Sequence, residues 1–167
     1  SIFLFFLFLS YNIKLDKVNM IKKIENRKAY HDYEIIEKVE SGIVLKGSEV
    51  KALREGRGNL KDSYAKVING EMYLFNFYIS PYPNSFEKIN PLRKKKLLLH
   101  KKQIIKWKQK MEEKGLTIVP LSVYFNNKGF AKVELALVKG KKLYDKRKAI
   151  KERYIKREIE RKIKEKG

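Results

Sequence analysis

Apolar residues along the chain recur mostly with the period of strands. Tyr33 to Val39 is rich in Ile, Val and Tyr, and Ser41-Gly42 is expected to turn it into a second short strand, Ile43-Val44-Leu45. Ser48 to Glu55 reads as a short helix capped by Ser48, with Val50, Ala52 and Leu53 inward and Gly56 and Gly58 stopping it. Asp62 to Ile68 and Glu71 to Ile79 flank Asn69-Gly70, a strong hairpin signal because both turn positions need a positive φ. Ser80 to Pro91, with three prolines, is a loop.

The spacing then predicts a helix over Leu97 to Lys114, closed by Gly115, with Leu97, Leu98, Ile104, Ile105, the Lys108 stem and Met111 on its inner side. Leu116 to Phe125 and Gly129 to Val138 form a second hairpin across Asn126-Asn127-Lys128. About six short strands with a few peripheral helices favour a small closed antiparallel β-barrel, which also removes exposed strand edges.

Two ends fall outside this pattern. Ile2 to Leu9 is an apolar run of ~12 Å as a helix, too short to span a bilayer. It lacks the preceding basic residue and following small-residue site of a secretory signal. Met20-Ile21-Lys22-Lys23 makes a clean start, so residues 1–19 read as upstream sequence; the alternative is a leader into an organelle. At the other end Ile155, Ile159 and Ile163 recur every four residues, with Glu152/Lys156, Glu158/Lys162 and Glu160/Lys164 in the favourable order. One narrow stripe buries little, so this segment is expected to be disordered when free and helical on its target. The expected organisation is therefore a non-core extension over 1–19, a barrel over 20–139 and a basic tail over 140–167.

Charge points to the partner. The formal net charge is +21, and Lys139 to Gly167 holds 14 Lys or Arg against 5 acids. Such self-repulsion gains a fold nothing, whereas each phosphate neutralised releases counterions. A polyanion, RNA or DNA, is the indicated ligand, with a membrane surface the weaker competitor. The chain has no Cys, which excludes disulfides, thiolate metal sites and cysteine nucleophiles.

Among local constellations, Arg93, Lys94, Lys95, Lys96, Lys101, Lys102, Lys106 and Lys108 form a run of one sign that suits phosphates. The alternative is a solvated lysine face. His31 and His100 lie in no metal-ligand spacing, and Gly140-Lys141-Lys142 lacks the rest of a P-loop. Glu49-Val50-Lys51 has the carboxylate-x-lysine spacing of some Mg²⁺ nucleases, with Asp32 as a second candidate ligand. Two residues apart on a helix, however, side chains do not face each other. No cofactor, metal or catalytic residue is therefore assigned, and the chain reads as a binding protein rather than an enzyme.

Seven runs taken in order resemble the SsrA-binding protein (small protein B) family. They are Asn26 to Tyr33 (NRKAYHDY), Gly47 to Arg54 (GSEVKALR), Asn59 to Tyr64 (NLKDSY), Arg93 to Lys101 (RKKKLLLHK), Gly115 to Tyr124 (GLTIVPLSVY), Ala131 to Glu134 (AKVE) and Gly140 to Arg147 (GKKLYDKR). The resemblance implies an OB-like barrel that binds the tRNA-like domain of transfer-messenger RNA and takes it to stalled ribosomes for trans-translation. It implies RNA contacts at Asn26, Arg27, Lys28, Glu40, Leu98, His100 and Lys132. It further implies that Tyr144, Asp145, Lys146 and Arg147 meet the decoding centre, with Lys151 and Arg153 facing the mRNA channel of small-subunit rRNA. The place implied is the cytoplasm, on ribosomes, as a monomer.

From the residues alone, Leu98 would serve equally as core, and Glu40 as a solvated strand-end charge. The runner-up reading is a general OB-type RNA binder or structural ribosomal protein. Three positions depart from the family pattern: the loop Tyr82 to Ile89 lacks the expected Gly and His, Lys148 replaces an acid, and Ala52 replaces a Ser.

Overall fold

Alternating burial builds most of the strands. The computed structural model describes residues 23–165, and only the backbone of residues 142–149. Expectations for residues 1–19, for Met20, and for the side chains of Tyr144, Asp145, Lys146 and Arg147 lie outside the described residues. The strands are β1 (Ile24–Glu25), β2 (Tyr33–Ile43), β3 (Gly58–Asn59), β4 (Tyr64–Ile68), β5 (Glu71–Phe75), β6 (Tyr78–Ile79), β7 (Lys95–Leu98), β8 (Thr117–Phe125) and β9 (Ala131–Gly140). Four helices punctuate them: α1 (Arg27–Asp32), α2 (Gly47–Arg54), α3 (Lys101–Lys114) and α4 (Lys141–Glu165).

All pairings are antiparallel. They run β8–β4–β5–β7–β2–β9, and β9 pairs again with β8, so the hydrogen-bonded circuit returns to its first strand. Inside it Met72, Leu74, Leu97, Ile118, Leu135 and Leu137 are fully buried. A smaller apolar cluster, Ala29 of α1 against Val119, Leu121, Ala136 and Val138, lies apart from this main core. That second layer buries Val119 and Leu121, the face of β8 opposite the main core, and leaves Ser122 as the one polar residue in the buried stretch from Ile118 to Val123. Pro120 is tolerated there because the β8–β9 register shifts between Pro120 and Ser122.

Both expected hairpins form. Asn69 (φ 50°) and Gly70 (φ 76°) make the tight turn between β4 and β5. The 80–91 segment contains no strand or helix, as expected.

Three local expectations are corrected. Ser41-Gly42 is not a turn: β2 runs through it, with Gly42 paired to Leu98 of β7 on one side and Lys132 of β9 on the other. The glycine is needed for approach, since a Cβ there would sit 3.1 Å from Leu98 Cβ. Leu97 and Leu98 belong to β7, and the helix begins at Lys101. Ile104 and Trp107 are its buried residues, Met111 packs partly buried against the core as expected, and Ile105 is exposed. Trp107 Nε1 donates to Glu37 at 2.8 Å, a polar handle that hydrophobic spacing alone does not reveal. Finally, α2 starts one residue before Ser48; the Glu49 carboxylate reaches back to accept from the Lys46 backbone N–H at 2.8 Å.

The tail segment is helical. α4 follows β9 with no residue between them, and Ile155, Ile159 and Ile163 stay 47, 53 and 67% exposed. Along it Arg161 pairs with both Glu158 and Glu165, an arrangement that the Glu→Lys spacing does not anticipate.

Candidate nucleic-acid interface

Antiparallel register gathers four distant positions. Tyr124, Lys132, Gly42 and Leu98 lie in one cross-strand row over β8, β9, β2 and β7. Their neighbours in sequence (Val123, Val133, Ser41, Ile43 and Leu97) are buried, so this row faces outward. Glu40 lies two residues from Gly42 on the same face. His100 caps α3 two residues after β7 ends, and its carbonyl accepts from Gln103 and Ile104 N–H.

These elements enclose an open cleft of about 840 Å³, lined by Glu40, Gly42, Leu98, His100 and Lys132 together with Lys96, Lys101 and Gln103. At Gly42 the Leu98 side chain takes the space that a Cβ would need, so the two lie in contact on the cleft wall. Leu98, 52% exposed, presents an apolar surface within it and is not core.

The electrostatics are ordered. Glu40 accepts a hydrogen bond from Tyr124 Oη, which holds the carboxylate in place. Burial first, and this carboxylate second, push the Tyr124 phenol well above its ordinary range, so the hydroxyl remains a donor. Lys96 bonds Glu71 at 2.9 Å, and that bond raises the lysine and lowers the carboxyl. Lys101 and Lys132 add positive charge at the rim.

The remaining sequence-assigned residues lie elsewhere. Asn26 is a structural residue: its Nδ2 donates to Pro120 O (2.9 Å) and Leu60 O (3.4 Å), and its Oδ1 accepts from Ala29 N. Buried and bonded to three backbone groups, that side chain anchors α1, and it also lines the small cleft beside Lys28. Arg27 and Lys28 are exposed on α1, and Lys28 lines a different, smaller cleft of about 300 Å³ while pairing with Asp62 at 2.8 Å. Lys151 and Arg153 are exposed on α4.

The run from Arg93 to Lys108 is not one phosphate patch. Lys95 is fully buried, its Nζ donating to Phe77 O and Arg93 O, both at 2.8 Å. Burial lowers it from 10.5 to about 8, against the pull of Glu49. Arg93 pairs with Glu49 at 2.5 Å, and Lys95 Nζ stands 3.9 Å from the other carboxylate oxygen. Glu49 is therefore the buried anchor of two cations, which removes it as a candidate Mg²⁺ ligand. Lys101, Lys102 and Lys106 do remain exposed. Lys96 was singled out by sequence only as part of that run, and Gly42 and Gln103 were not singled out as site residues. A lone glycine inside a stretch rich in Ile and Val was the available signal for Gly42.

The chain is thus a predominantly β protein with a cation-rimmed cleft on its sheet surface and a basic helix leaving it. The model of the SmpB protein family matches residues 23–165, and the chain belongs to that family. It is similar to the SsrA-binding protein of Sulfurihydrogenibium sp. (strain YO3AOP1), 61% identical over 83% of this chain and 91% of the relative. The SsrA-binding protein of Thermus thermophilus is 50% identical over 84% of this chain and 99% of the relative. A solved chain from work on tmRNA–SmpB and the centre of the bacterial ribosome matches with a TM-score of 0.61 and 52% identity, covering 71% of this chain and 84% of that one.

Proposed function

We propose that this chain binds the tRNA-like domain of transfer-messenger RNA and delivers it to stalled ribosomes for trans-translation. The observation that carries the reading is the convergence of Glu40, Leu98, His100 and Lys132 in one cleft of a member of the SmpB family. Lys132, Lys101 and His100 donate to phosphates and 2′-hydroxyls, Glu40 accepts from a base amine, and Leu98 packs against a sugar or base face. Arg27 and Lys28 give α1 a separate backbone contact, with Lys28 exchanging Asp62 for a phosphate.

The fold that supports this is an OB-like closed barrel over 20–139 with a basic tail over 140–167. The tail buries little apolar surface, so its order is marginal in the free protein and completed on the ribosome. There Tyr144, Asp145, Lys146 and Arg147 meet the decoding centre, and Lys151 and Arg153 line the empty mRNA channel. The protein acts as a monomer without a cofactor, as an RNA-placing rather than catalytic component, in a cytoplasm or an organelle with bacterial-type ribosomes.

Competition binding at physiological salt tests it. The tRNA-like RNA should beat unstructured RNA of equal length, and His100→Ala or Lys132→Ala should erase that advantage. Equal affinity for both RNAs would leave only a general RNA binder.

A further inference from the structure

We infer that the outer face of β4, β5 and the approach to β7 is a second subsite, which stacks unpaired bases of single-stranded RNA beside the cleft. The inference takes from the preceding section only that the polymer in the cleft is RNA.

Register creates the face. Ala65, Met72, Leu74 and Leu97 fill the interior, so their neighbours Tyr64, Lys66, Tyr73, Phe75 and Lys96 point outward. Tyr64 pairs with Phe75, Lys66 with Tyr73, and Tyr73 in turn with Lys96. A solvated sheet face is ordinarily polar at such positions. Here it carries three half-buried rings interleaved with ammonium groups.

The rings are held ready. Tyr64 and Phe75 stack with centroids 5.5 Å apart and planes 12° from parallel. Tyr73 is fixed by its hydroxyl, which donates to Glu71 Oε2 at 2.8 Å. Lys66 Nζ lies 5.3 Å from the centroid of Tyr64, and Lys94 Nζ 4.9 Å from that of Tyr73. These exposed cation–π contacts are weak, whereas stacking a base on an aromatic ring is worth more. A base arriving on a ring therefore displaces the ammonium, which turns onto the phosphate of the same nucleotide. Tyr73 and Phe75 lie ~7 Å apart along β5, a distance that consecutive unstacked nucleotides can span.

Charge and continuity select the ligand. Lys66, Lys94 and Lys96 outnumber Glu71, whose carboxylate is already bonded by Lys96 and Tyr73. Glu71 and Lys96 also line the cleft, so a chain leaving it can pass onto the rings without crossing an acidic strip. A duplex presents no free base faces, which makes an unpaired segment the fitting partner.

The test uses the full chain and a single-stranded RNA of about eight nucleotides carrying a fluorescent purine. Binding should quench the purine and shift the ring resonances of Tyr64, Tyr73 and Phe75. The double substitution Tyr64→Leu with Phe75→Leu should weaken the oligonucleotide about tenfold or more. Lys66→Gln, on an exposed side chain that leaves the core untouched, should weaken it and reduce the salt dependence by about one phosphate. Unshifted ring resonances at saturation, or unchanged affinity in Lys66→Gln, overturns the proposal. An acidic peptide that shifts the rings while the RNA does not would overturn it as well. Failure here leaves the cleft untouched, because His100→Ala and Lys132→Ala are read on the tRNA-like RNA. Conversely, shifted rings without any preference for tRNA-like RNA would sustain this subsite and sink the cleft reading.

Discussion

Replacing Glu49 by Gln tests whether its carboxylate is structural. The substitution keeps shape but removes the charge that faces Arg93 at 2.5 Å and Lys95 at 3.9 Å. Even with Glu49 present, burial holds Lys95 at about 8 rather than 10.5, and that difference corresponds to ~3 kcal/mol. Because the unfolded chain holds more protons than the folded one between pH 8 and 10.5, this group's contribution to stability rises with pH across that window. Below pH 8 Lys95 is charged in both states and its burial cost is present in full. Glu49→Gln deepens that cost and strands Arg93, so the expected loss at pH 7 is ~3 kcal/mol, within the range for breaking a buried pair. At about pH 9.5 Lys95 has shed its proton in the folded variant, and only the Arg93 share remains. Urea unfolding followed by far-UV circular dichroism at the two pH values measures both losses. A loss below ~1 kcal/mol at pH 7, or the same loss at both pH values, refutes the anchoring role.

Other outcomes follow from single contacts. Asn26→Ala removes the α1 cap and two bridges to Leu60 and Pro120; it should cost ~2 kcal/mol in urea unfolding while the folded fraction keeps its RNA affinity. Gly42→Val places a side chain against Leu98, and should weaken tRNA-like RNA more than it lowers the thermal midpoint, as read by binding and melting on one sample. Trp107→Phe strips Glu37 of one donor while Lys110 keeps its bond, so stability should fall by ~1–2 kcal/mol in the same unfolding assay. Truncation after Lys139 should spare RNA binding and abolish tagging of stalled peptides in a reconstituted translation assay. Loss of both would contradict separate roles for barrel and tail.

The sequence made the strands and hairpins legible where one physical cause dominated. Asn69-Gly70 admits few conformations besides the tight turn, and alternation marked β4 and β5 plainly. It misled where two demands met at one residue. Gly42 reads as a turn because glycine is permissive, yet its place is set by the approach of β7, a long-range contact absent from local pattern. Leu97-Leu98-Leu99 has no periodicity that separates strand from helix, and pairing with Met72 and Gly42 decides it. At the interface, charge counting overstated the Arg93–Lys108 run, since a buried lysine and an exposed one look alike in sequence. Lys95 could be told from Lys94 only by the carbonyls of Phe77 and Arg93. The family resemblance, by contrast, named Glu40, Leu98, His100 and Lys132, which no local pattern connects, and strand register brings them to the lining of one cleft.

The direct passage from β9 into α4 at Gly140 leaves no linker residue between sheet and helix, so the strand aims the tail once it is ordered. Gly140 is still in register with Tyr33, so the 25-residue helix inherits its direction from the longest ladder of the protein. Its reach is then set by residue count alone, ~37 Å at about 1.5 Å per residue. Each residue inserted at the junction would rotate every downstream side chain by ~100°, so rotational phase rather than mere length is what the joint transmits.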